Sequence, residues 1–153
     1  MVKSQAGVSM IELMVTIAIM MLLAMAVAPF SVAWGNQAAV RQTQSLLNQA
    51  MSQLEATALR NPTAASSTAA AVLVSVPGKL CVRAGLPAAL DCSSFNWSAV
   101  PPAAIQLNGA ASQCIALDSA GMSLGAAVGG VACGTLMSFN IAKGSESSNG
   151  TLN

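Results

Sequence analysis

Histidine and tyrosine are absent from the 153 residues, aromatics make up 3% and charged side chains only 7%. Without an imidazole the chain lacks the commonest general base and the commonest metal ligand. Beyond the N-terminal third, Asp91, Asp118 and Glu146 are scattered among predicted loops, so no nucleophile beside a base is spelled out. No glycine-lysine phosphate loop or dinucleotide fingerprint occurs. An enzyme is therefore not expected, nor is a cofactor or a metal. The scarcity of charge excludes a second class. Six Lys and Arg stand against five Asp and Glu, so no strong electrostatic partner is implied.

What is present in excess is apolar: hydrophobic residues make up 54% of the chain, and a long run extends from Leu13 to Trp34. It is preceded by Gly7-Val8-Ser9-Met10-Ile11-Glu12. A carboxylate at the edge of a spanning segment costs about 2.5–3.5 kcal/mol if it enters the bilayer core, so Glu12 needs a partner and marks a functional site. A secretory signal has an apolar core of only about 7–15 residues with the cut behind it. This run is longer, and a run of that length is enough to span a bilayer.

The stretch AGVSMIELMVTIAIMMLLAMAVAP resembles the processing and methylation segment of type IV prepilins and pseudopilins. That resemblance implies a membrane peptidase that cuts after the glycine, methylation of the new N-terminus, and a glutamate that guides assembly. By position, Gly7 is the last leader residue, Val8 the methylated N-terminus and Glu12 the assembly glutamate. Pro29 falls where many type IV pilins carry a helix-kinking proline. Val8 is a departure, since the family more often begins its mature chain with phenylalanine. The implied division is a leader over 1–7, a transmembrane and assembly helix over 8–35, and a periplasmic globular domain over 36–153.

Cleavage after Gly7 removes Lys3 and leaves five basic against five acidic side chains. About 90 residues beyond the helix can bury one modest core, and domains of that size lean on extra constraints. Cys81, Cys92, Cys114 and Cys133 fit that need, because none lies in the apolar run and none forms C-x-x-C. Four cysteines allow three pairings; the sequence-local one, Cys81 with Cys92 and Cys114 with Cys133, is the simplest. Disulfides belong on the oxidising side of a membrane, a bacterial periplasm if the chain is a prepilin.

From Val8 to about Leu59 only Pro29 and Gly35 interrupt helix-forming sequence. After Trp34 the pattern turns amphipathic, with Val40, Leu47, Met51, Leu54 and Ala58 recurring at three or four residues. Asn61-Pro62 ends the helix. Thr63 to Ala70 reads as a loop. Strands are expected at Ala71–Val76, Lys79–Arg83, Ala103–Leu107, Gln113–Leu117 and Thr135–Ile141. Pro77-Gly78 joins the first two, and Asn108-Gly109 suggests a hairpin between the third and fourth. The stretch Gly121 to Gly134 reads as a flexible loop, and Gly144 to Asn153 as a loose polar tail. The fold class is α+β: a long N-terminal helix, half membrane and half amphipathic, packed on a small mainly antiparallel sheet.

The segment LLNQAMSQLEATALRNP, followed by Leu80-Cys81, a second cysteine and Trp97, also resembles minor pilins and pseudopilins of the GspH/FimT class. The function implied is a structural subunit of a type IV pilus or type II secretion pseudopilus. Its partners would be prepilin peptidase, other pilin or pseudopilin subunits, an inner-membrane assembly platform and the membrane itself. It would sit single-pass in the inner membrane with its C-terminal domain periplasmic, then pass into the fibre. Some members of that class bind DNA during uptake, which makes a competence pilin the alternative. Lys79 and Arg83 share a strand face and Trp97 offers a ring to stack on a base, but so few phosphate contacts give weak binding. Nucleic acid is not the expected partner.

Overall fold

A computed structural model describes residues 7–152, without the side chains at positions 28 and 29. The leader before Gly7 and the side chain of Pro29 thus lie outside the described residues. Helix α1 spans Met10–Arg60, and its backbone stays helical through position 29. The chain divides into two units between Gly35 and Asn36. In the first, every described side chain from Gly7 to Val27 is exposed.

In the second unit the apolar spacing of α1 becomes a buried stripe. Val40, Leu47, Ala50, Leu54 and Ala58 are all buried, Leu47 and Leu54 completely, and Met51 is half-buried. Thr43, also fully buried, keeps its hydroxyl satisfied by accepting the Ala103 N–H at 3.1 Å. Asn61 stops the helix by adopting a left-handed conformation at φ 41°, and its N–H still bonds the Thr57 carbonyl at 3.1 Å. Pro62 then prevents any continuation.

The strands are β1 (Ala71–Val76), β2 (Lys79–Ala84), β3 (Trp97–Ala99), β4 (Ala104–Leu107), β5 (Gln113–Leu117), β6 (Ala127–Val128), β7 (Val131–Ala132), β8 (Met137–Lys143) and β9 (Glu146–Leu152). They form a four-stranded sheet in the order β3-β2-β1-β5, a three-stranded sheet β4-β8-β9 and the small pair β6-β7. All these pairings are antiparallel. Gly78, at φ 75°, completes the Pro77-Gly78 turn between β1 and β2.

Alternation along the strands sets up two cores. Leu73, Leu80, Val82, Ile115 and Leu117 face α1 and join Ile105, Leu107, Phe139 and Ile141 of the three-stranded sheet. Val72, Val74, Cys81, Cys114 and Ala116 point the opposite way and pack with Val128 and Cys133. Val74 is the register partner of both Cys81 and Cys114, so both cysteines occupy one row across three strands. Cys81 is bonded to Cys92 and Cys114 to Cys133. Each bridge ties a loop down onto the sheet face turned away from the helix.

Three sequence expectations need correction. The Asn108-Gly109 turn forms, with φ 49° and 77° and Leu107 and Ala110 exchanging backbone bonds, but it does not join a hairpin. Strand β4 pairs with β8 and β5 with β1, because β5 buries both of its faces, Ile115 and Leu117 in one core and Cys114 and Ala116 in the other, whereas β4 buries only Ile105 and Leu107. The Gly121–Gly134 stretch is no loose loop: it contains β6 and β7, and Val128 is fully buried. Nor is the tail loose, since Glu146–Leu152 pairs with β8 along its whole length. Strand β3 is too short to show alternation in the sequence, and β8 lies two residues later than the expected Thr135–Ile141.

Candidate functional site at the helix start

Gly7, Val8 and Ser9 precede the first helical residue, Met10. The Gly7–Val8 peptide therefore lies in exposed, non-helical chain, and a side chain at Gly7 would meet nothing within 4 Å. Helix formation begins at Ser9 for a local reason. The Ser9 N–H donates to the Glu12 carboxylate at 3.0 Å, while the Glu12 N–H donates to the Ser9 hydroxyl oxygen at 3.3 Å. The Leu13 N–H closes the first helical turn on the Ser9 carbonyl at 3.2 Å. This is a reciprocal capping box, which satisfies two backbone donors that a helix start leaves open. A carboxylate in the first turn also meets the positive end of the helix dipole.

Glu12 thus has a partner within its own chain, the backbone N–H of Ser9. The signal was present as Ser9-x-x-Glu12 ahead of an apolar run. Val8, Ile11, Glu12, Val15 and Thr16 border one shallow concavity, so the carboxylate stands among apolar neighbours and beside Val8. Beyond it the helix stays apolar and exposed, with mean hydropathy 2.5 in its most apolar 18-residue window. From Leu13 to Trp34, at 1.5 Å per residue, the run is roughly 33 Å long, enough for a hydrocarbon core of about 30 Å. Apolar surface of this extent, exposed on all sides of a helix, is stable when lipid or other apolar helices surround it.

The other residues singled out from sequence lie in the second unit and do not join this site. Lys79 places its ammonium 4.7 Å from the centre of the Phe95 ring. Arg83 lies close enough to Asp91 to help lower that carboxyl's pKa, although the larger causes are the hydroxyl and N–H of Ser93. Of these two cations, Lys79 has a ring partner within the chain. Among the described residues no cluster of three or more metal-ligating side chains occurs.

No curated protein and no solved structure matches the chain. Residues 2–28 do match the family described as the prokaryotic N-terminal methylation motif. The chain therefore carries the N-terminal signature of type IV prepilins, ahead of a long helix packed on antiparallel sheets.

Proposed function

We propose that this chain is a minor pilin or pseudopilin: a non-enzymatic subunit held in the inner membrane and then drawn into a helical fibre. The observation that carries the reading is the methylation motif over residues 2–28, which contains Gly7, Val8 and Glu12 at the spacing a prepilin requires. Prepilin peptidase cuts between Gly7 and Val8, where exposed chain without helical structure supports access. Methylation of Val8 keeps its positive charge. Glu12 then exchanges its own Ser9 N–H for the charged N-terminus of a neighbouring subunit. Inside an apolar bundle such a pair gives specificity more than stability, because both ions must shed water. The periplasmic domain begins near Asn36, and its two disulfides accord with an oxidising compartment.

Protein contacts, rather than nucleic acid, are the business of the globular domain in this reading. The scarcity of charge supports it, since Lys79 and Arg83 together offer too few cations for strong phosphate binding. Glu12→Gln is the test, because the amide is nearly isosteric and lacks only the charge. The variant is expected to be processed and membrane-inserted yet depleted at least tenfold from sheared fibres or from secretion-competent assemblies. Normal incorporation would reduce the helix to a plain tether.

A further inference from the structure

Two features of the globular unit have complementary chemistry and lie on opposite sides of the same sheet. The first is a cavity of about 260 Å³ bordered by Met51 and Glu55 of α1, Ile115 and Leu117 of β5, Leu152 of β9 and Leu136 before β8. It is smaller than the roughly 300–1,000 Å³ of small-molecule sites, and its size suits one or two inserted side chains. Its lining is mostly apolar, and Glu55 is the single charged residue in it. Leu136, at the rim, is 79% exposed, and Leu59 and Met122 extend the exposed apolar surface nearby. Gly121 links them, lying in the lining with the Leu59 side chain within van der Waals reach of where its Cβ would stand. Arg60 follows Leu59 at the end of the helix but does not border the cavity.

The second feature is a projection. Phe95 is 44% exposed on the segment between Cys92 and β3, with the Lys79 ammonium seated over its ring. The Cys81–Cys92 bridge fixes the base of that segment to β2, so the ring and its cation are held rather than free to fold away. Exposed Leu86 and Val100 flank it in sequence. Its charges are Lys79, Arg83 and Asp91, with Asp91 already bonded by Ser93.

An aromatic plug carrying a cation matches an apolar cavity carrying one carboxylate. A single molecule cannot bring its own together. Phe95 adjoins β3 at one edge of the sheet, while Ile115 and Leu117 lie on β5 at the other edge, about 14 Å away at the usual strand spacing. Lys79 also alternates with Leu80 onto the face turned away from α1, whereas the cavity opens beside the helix-facing residues Ile115 and Leu117. We infer that Phe95 and Lys79 of one copy of this chain insert into the Glu55 cavity of the next. Knob and hole are different surfaces, so the contact is heterologous and adds copies head to tail instead of closing a two-fold dimer. It goes beyond the helix-borne assembly proposed above and rests on that fibre reading.

The test uses the full chain, expressed with prepilin peptidase and the assembly machinery, with a photoactivatable benzophenone analogue in place of Phe95. Illumination is expected to give a band at twice the monomer mass on reducing, denaturing gels, with the cross-link mapped to the Met51–Arg60 segment of the second copy. Glu55→Lys should cut the yield at least tenfold, and adding Lys79→Glu to it should restore most of the yield. Glu55→Gln, which adds no repulsion, should cut it about threefold. A cross-link to a different protein, absence of any dimer, or a yield indifferent to both Glu55 changes would overturn the inference. The mature mass in the same samples separates the two readings: correct cleavage without the cross-link rejects this contact alone, whereas an uncut N-terminus rejects the fibre reading itself.

Discussion

Replacing Cys114 and Cys133 together by alanine tests whether the sheet face turned away from the helix depends on its covalent ties. The bridge spans 19 residues, against 11 for Cys81–Cys92. In the chain-entropy model, closing loops of these lengths stabilises by about 3.3 and about 2.8 kcal/mol respectively. Loop length alone separates them by only about half a kcal/mol. The structure adds a larger difference, because the longer loop delivers Val128, fully buried, to the core formed by Val72, Val74 and Ala116. Freeing that loop puts at risk a burial worth about 1.5–3 kcal/mol. For the unit of about 118 residues from Asn36 onward, an unfolding entropy near 250 cal/mol/K converts 3.3 kcal/mol into a drop of about 13 °C in Tm. The double variant should fall by at least that much, and by more than the corresponding Cys81 and Cys92 pair. Thermal unfolding of the full chain in detergent, followed by near-ultraviolet circular dichroism, gives both numbers. A drop below about 4 °C, or the reverse order of the two pairs, would refute the reasoning.

Leu54→Ala empties a fully buried position at the centre of the helix–sheet core and should cost about 2–5 kcal/mol, read as a shift in denaturant midpoint. Gly150→Ala places a methyl group 2.8 Å from the Phe139 ring, which must move within a filled core; a loss of about 1–3 kcal/mol is expected in the same titration. Ser9→Ala removes one half of the capping box and should lower amide protection of the first helical turn, by about 1 kcal/mol, in hydrogen exchange of the micelle-bound chain. Asp91 titrates below its ordinary value because Ser93 bonds its ionised form. The contribution is therefore complete above the unfolded carboxylate pKa of about 3.9 and is lost as pH falls through the lower folded value. Asp91→Asn should flatten stability against pH in that acidic window, with its loss showing at neutral pH and vanishing once the wild-type carboxyl is protonated.

The sequence exposed whatever was periodic or locally chemical. The 3.6-residue recurrence of Val40, Leu47, Leu54 and Ala58 marked the buried face of α1, Asn61-Pro62 marked its end, and alternation located β1, β2 and β5. What escaped depended on distant partners. Strand β9 reads ESSNGTL, polar and glycine-containing, and becomes a strand because β8 supplies its hydrogen bonds over seven paired positions. Strands β6 and β7 have two residues each and no alternation to read; the adjoining Cys114–Cys133 bridge and the burial of Val128 hold them in place. Asn108-Gly109 announced a turn correctly, but a turn does not say which sheet each arm joins. At the helix start, Glu12 carries two signals at once, a charge at the edge of an apolar run and a capping partner for Ser9 three residues upstream. The cavity beside Glu55 was not legible at all, since its lining comes from α1, β5, β8 and β9 together.

The central claim, that this chain is a processed prepilin, rests on the peptide between Gly7 and Val8. Intact-mass and N-terminal peptide spectrometry of the chain purified from membranes that contain prepilin peptidase examines it directly. A mature chain beginning at Val8 and carrying one added methyl group is the predicted result, and Gly7→Val should block the cut. A chain that retains Met1, or one that begins after Ala28, would contradict the account.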